Sequence, residues 1–140
     1  MLAVLAVHAG QEQWTLDVDK ALAKAKAEKK ILFLNFTSTD GHPTVAKFNK
    51  EILGQDKFCA YARDNAVILV DIIMGTKKLK NPAMAKQHAA TVKRYGVKKC
   101  PLVIVTDSAG QPLGELEYAA GGPGPFLAKL DELVKKAGGK

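Results

Sequence analysis

Few residues in this chain can ligate a metal, ionise near neutral pH or attack a substrate: His8, His42, His88, Cys59 and Cys100. The two cysteines lie far apart, and no Cys/His spacing of the kind that closes a metal site joins them to the histidines. Neither a metal nor a cofactor is therefore expected. Residues 121–124, Gly-Gly-Pro-Gly, lack the spacing and the Lys-Ser/Thr ending of a phosphate loop and read as linker. His42 holds the most informative position. It stands just before Pro43, where Val45, Phe48 and Ile52 begin a helical stripe, and proline suits a first helical turn because that turn needs no N–H from it. A helix mouth carries free N–H groups and a positive dipole end, which favour a thiolate, carboxylate or phosphate. The side chain at this mouth is instead an imidazole.

The elements that must position His42 follow from hydrophobic spacing. Residues 31–36 are a nearly continuous apolar run, as in a strand buried on both faces, and residues 37–41 are a polar break before the helix. Upstream, residues 11–15 suit an edge strand with Trp14 turned inward. Residues 17–30 suit a helix that buries Val18, Ala21, Leu22 and Ala25. Downstream, Gly54 breaks the central helix and residues 55–65 form a second short one, with Phe58, Ala62 and Tyr61 turned inward and Cys59 as a small buried hydrophobe. Residues 66–73 are another apolar strand, ending at Asp71 or soon after. A basic loop over 75–81 leads into a helix over 82–95, on which His88 is a face residue without an evident partner. A strand over 101–106, a turn at Ala109-Gly110, a returning strand over 112–118 and a helix over 125–136 complete the chain. The order is β-α-β-α-(α)-β-α-β-β-α.

The chain has 140 residues, 47% hydrophobic and 25% charged, which suits one globular domain able to bury roughly two thirds of its unfolded surface. No apolar run reaches membrane length, so no span is expected. The formal charge of +7 is carried by lysine almost alone, since Arg63 and Arg94 are the only arginines. Lys20, Lys24, Lys26, Lys29 and Lys30 decorate one helix, Lys77, Lys78 and Lys80 a loop, and Lys98 and Lys99 the approach to a strand. Nucleic-acid surfaces add arginine forks and stacking aromatics, which these clusters lack, so no nucleic-acid partner is expected. Solvated faces are the simpler reading, and acidic partners or anionic surfaces the lesser one. Residues 1–10 have the apolar flavour of a truncated export signal but no basic leading region; a flexible or strand-forming terminus is the alternative. Residues 11–140 are the expected domain.

Two segments carry a family resemblance. KILFLNFTSTDG followed by a helix ending in FNKEIL resembles the thioredoxin superfamily, in particular extracytoplasmic thioredoxin-like proteins of the thiol:disulfide interchange type. RYGVKKCPLVIVTDSAGQPLGELEY resembles that family's second hallmark, Tyr-Gly-Val before a proline that opens a strand, then a hairpin turn. The resemblance implies an α/β thioredoxin-like fold, a central mixed sheet flanked by helices, and a periplasmic or otherwise extracytoplasmic location, with the cytoplasm as the alternative. It also implies that Pro101 is a cis-proline facing the helix mouth, a state that costs an X–Pro bond only about 0.5–1 kcal/mol.

Laid on the family's Cys-x-x-Cys motif, the two sulfurs fall on His42 and Val45, with Pro43 and Thr44 between them. Dithiol exchange needs one thiolate to attack and a second to resolve the mixed disulfide, so that reaction is excluded through this loop. Asn35 also stands near where many relatives carry a buried acid. Three readings compete. A domain without redox activity could hold an extended peptide or protein partner at His42, Pro43, Thr44 and Pro101. A divergent oxidoreductase could work through the single thiol of Cys100, which the resemblance sets beside His42, with glutathione or another small thiol as partner. The old site could also have no role.

Overall fold

The computed structural model describes residues 13–74 and 79–138; the expectations for residues 1–10, for residues 11 and 12 of the first strand, and for residues 75–78 of the basic loop lie outside them. The elements are β1 (Trp14–Thr15), α1 (Val18–Glu28), β2 (Leu32–Ser38), α2 (Pro43–Phe48), α3 (Asp56–Asp64), β3 (Ile68–Met74), α4 (Pro82–Tyr95), β4 (Leu102–Thr106), β5 (Pro112–Leu116) and α5 (Pro123–Gly138). They build one mixed sheet in the order β1-β3-β2-β4-β5. β1 and β2 run parallel to β3, β4 runs antiparallel to β2, and β5 is antiparallel to β4.

Strand β2 lies in the middle, and its side chains alternate between two cores as strand geometry requires. Phe33 points to a core that contains Phe48, Ile52, Leu53, Phe58, Phe126 and Leu130, contributed by the α2, α3 and α5 side. Leu32, Leu34 and Phe36 point to the opposite core, where Val18, Ala21 and Ala25 of α1 pack. The first core is aromatic: Phe33 meets Phe58 edge-on at 5.2 Å, and Phe48 meets Phe126 at 5.4 Å. Both faces of the strand are thus closed, which explains its unbroken apolar run.

Helix ends follow the local chemistry. Asp17 caps α1 by accepting from the Lys20 N–H at 3.1 Å, and Asn81 caps α4 by accepting from Ala83 and Met84. Gly96 closes α4 in the left-handed conformation that glycine adopts without penalty.

Several boundaries depart from the spacing. The helix opened by Pro43 is α-helical only to Phe48 and continues as a π-helical segment, Asn49–Leu53, in which the Gly54 N–H reaches back to the Asn49 carbonyl. β3 begins two residues later than the apolar run, because Ala66 is left-handed, and it runs through Asp71 to Met74 instead of stopping there. β5 stops at Leu116. Tyr118 has left the sheet and donates its hydroxyl hydrogen to Glu51 Oε1 in the π segment. Two of the residues read as linker, Pro123 and Gly124, belong to α5.

His88 has partners after all. It is buried, its Nδ1 accepts the Ile73 N–H at 2.9 Å, and its Nε2 donates to the Leu16 carbonyl at 2.7 Å. One neutral tautomer satisfies both backbone groups. Next to it, Gln87 accepts from the Val18 N–H at 2.8 Å and donates to Asp17. Helix α4 therefore pins the start of α1 through two adjacent side chains.

Candidate functional site

The loop that leaves β2 turns at Ser38 to Gly41, where Ser38 Oγ accepts the Asp40 N–H at 3.0 Å and Gly41 has φ 79°. His42 follows as the N-cap of α2, with extended backbone. Its carbonyl accepts the Ala46 N–H at 3.1 Å, while its ring makes no capping bond. His42 and Pro43 are exposed, Thr44 is half-buried, and Val45 is buried at 4% exposure. An isopropyl group therefore faces inward one turn into the helix.

A second loop leads into β4. Its Cys100–Pro101 bond is cis, Cys100 is half-buried and Pro101 is buried. The charge of Asp40 acts on the Cys100 thiol, which brings this loop and the β2–α2 loop together. Burial first, and Asp40 second, push that thiol above the ordinary cysteine range. This is opposite to the depression that makes a cysteine nucleophilic. Among the described residues no hydrogen bond joins Cys100 to His42. Cys59 is buried in α3, its thiol directed to the Leu53 carbonyl at 3.8 Å, and neither cysteine forms a disulfide.

The family model for thioredoxin-like domains matches residues 18–133. The chain belongs to the thioredoxin-like family. No curated protein matches its sequence. Among solved structures, a DsbH oxidoreductase superposes with a TM-score of 0.82 at 21% identity, over 96% of this chain and 92% of that one. A thioredoxin from Thermus thermophilus gives 0.68 at 19%, over 89% and 88%. The C-terminal domain of Neisseria meningitidis DsbD in its oxidised form gives 0.60 at 19%, over 91% and 98%. At these identities the likeness is one of fold.

Within this thioredoxin-like domain, the sheet under the site holds a polar pair that sequence reasoning found only by half. Asn35 of β2 and Asp71 of β3 are register partners, on the sheet face that carries α2. Asn35 Nδ2 donates to Asp71 Oδ1 at 2.9 Å. Burial raises the Asp71 carboxyl to about 6, and the hydrogen bond from Asn35 offsets part of that rise. Asn35 Oδ1 is buried with no partner among the described residues. A protonated Asp71 supplies an O–H of the kind that oxygen lacks, so the pair suits an acid kept neutral in mildly acidic surroundings. The signal was present in the sequence as a lone charge inside the run Val67 to Met74.

Among the described residues, no cluster of His, Cys, Asp and Glu could hold a metal ion, and no helix is long and apolar enough to cross a membrane.

Proposed function

We propose that this thioredoxin-like domain works by binding, holding an extended peptide or a protein partner against His42, Pro43, Thr44 and the loop at Pro101, without dithiol exchange. One observation carries the reading. His42 and Val45 stand where the resemblance sets the two redox sulfurs, and His42 and Pro43 stay exposed there, while Cys59 is buried and burial pushes the Cys100 thiol above the ordinary cysteine range. An extended segment there would take its affinity from main-chain hydrogen bonds and its specificity from flanking side chains. Since Pro101 is buried, its part is to shape the loop backbone.

The competing reading, single-thiol redox chemistry at Cys100 with glutathione or another small thiol, has the Cys100 environment against it. We also infer an extracytoplasmic compartment, on the family resemblance; a cytoplasmic home is the alternative.

The test is selection of peptides from a displayed library with both cysteines replaced by serine. We expect saturable binders that are weakened at least tenfold, or about 1.4 kcal/mol, by His42→Ala combined with Thr44→Arg. Binding that survives those changes assigns the interaction to another surface. Glutathione-coupled turnover that disappears in Cys100→Ser establishes the redox reading instead.

A further inference from the structure

At the end of the sheet away from His42, the N-terminal ends of β2 and β3 meet α1 and the turn after α3. Because β2 spans seven residues at about 3.3 Å each, some ~20 Å separates this end from the helix mouth. A cleft of about 400 Å³ lies there. Lys20, Lys24, Lys30 and Arg63 line it, and among the described residues no acidic side chain does. Its floor is apolar, formed by Ala21, Ala62, Val67 and Ile68, with Trp14 at one side.

Glu28 pairs with Lys30 at 2.7 Å, and its charge also acts on Lys24. Lys20, Lys24 and Arg63 form no ion pair among the described residues. Four like charges around one concavity repel one another, and an anion entering it relieves that repulsion. Lys29, the left-handed C-cap of α1, and Ala66, left-handed just after α3, border a hollow that adjoins the cleft, since Lys30 and Ala66 line both.

We propose that this cleft binds an acidic segment of a protein partner, one with apolar side chains between its carboxylates. Ammonium groups are point charges that meet single carboxylate oxygens without the planar geometry a guanidinium demands, and the apolar floor accepts the intervening side chains. The concave form does not suit a lipid surface. Nor is Trp14 a free platform for bases, because its ring stacks on Phe58 at 6.2 Å and meets Phe33 edge-on at 6.0 Å.

Trp14 is the only tryptophan, so intrinsic fluorescence reports on the cleft directly. The experiment titrates the full chain with a capped peptide of alternating glutamate and leucine at low salt. In parallel it uses phosphatidylglycerol vesicles and single-stranded oligo-dT. The variant K20E/K24E/R63E is set against K86E/K93E/K129E, which changes net charge equally on exposed positions elsewhere. If circular dichroism finds the first triple unfolded, K20Q/K24Q/R63Q replaces it. We expect saturable peptide binding that falls at least about tenfold in the cleft variant and less than about threefold in the control. Equal losses in the two triples, no saturable binding, or tighter binding of vesicles or oligo-dT than of the peptide overturns the proposal.

Discussion

The carboxylate of Asp40 bears on the thiol of Cys100 and, second to burial, pushes its ionisation above the ordinary cysteine range. Iodoacetamide should therefore label Cys100 more slowly at neutral pH than a free cysteine, whose thiol ionises near about 8.5. Asp40→Asn removes the smaller of the two causes and should move the rate profile to lower pH. A wild-type profile that inflects below that of free cysteine would favour single-thiol chemistry over binding.

Stability should depend on pH through Asp71. Burial raises its folded carboxyl to about 6 from the ordinary aspartate value of 3.8, so between these the folded state holds a proton that the unfolded chain has released. Stability from this group is fully present below the unfolded value and is lost as pH rises through about 6, by at most about 3 kcal/mol. Urea unfolding between these limits should reveal the slope, and Asp71→Asn should flatten it and stabilise the protein at neutral pH. A parallel slope in the variant would mean that another group is responsible.

His88→Leu keeps roughly the side-chain volume but strands the Ile73 N–H and the Leu16 carbonyl. Each buried group left unpaired costs about 1–3 kcal/mol, so we expect a loss of about 2–4 kcal/mol in chemical denaturation. A loss below about 1 kcal/mol would show that water replaces the ring.

Ala66 offers the opposite sign. It is exposed and left-handed, and Ala66→Gly should raise stability by about 0.5–1 kcal/mol, the relief of the Cβ clash exceeding the added freedom of the unfolded chain. A lower midpoint in the glycine variant would mean that the methyl group makes a contact worth more than the strain.

What could be read in the chain beforehand was whatever local chemistry decides. Pro82 and Gly96 bound α4 at the residues the sequence indicates, and Pro43 opens α2 directly after His42. The unbroken apolar run over residues 31–36 also reads as a strand buried on both faces, as the two cores around Phe33 and Leu34 require. Groups that act across the fold could not be read this way. The partners of His88 lie 15 and 72 residues away, so nothing near it in sequence indicates them. Asp71 looked like the end of a strand because a charge in an apolar run usually marks one; only the register with Asn35 makes it a buried partner. The π segment after Phe48 was equally hidden, since a π turn keeps nearly the same apolar stripe as an α turn.

The buried Val45 has a consequence for where such a molecule can operate. A valine in that position can neither gain nor lose electrons, so the helix itself offers no second sulfur to close a disulfide. On the proposed binding role, the grip on a partner should then be the same in air as in a reducing buffer.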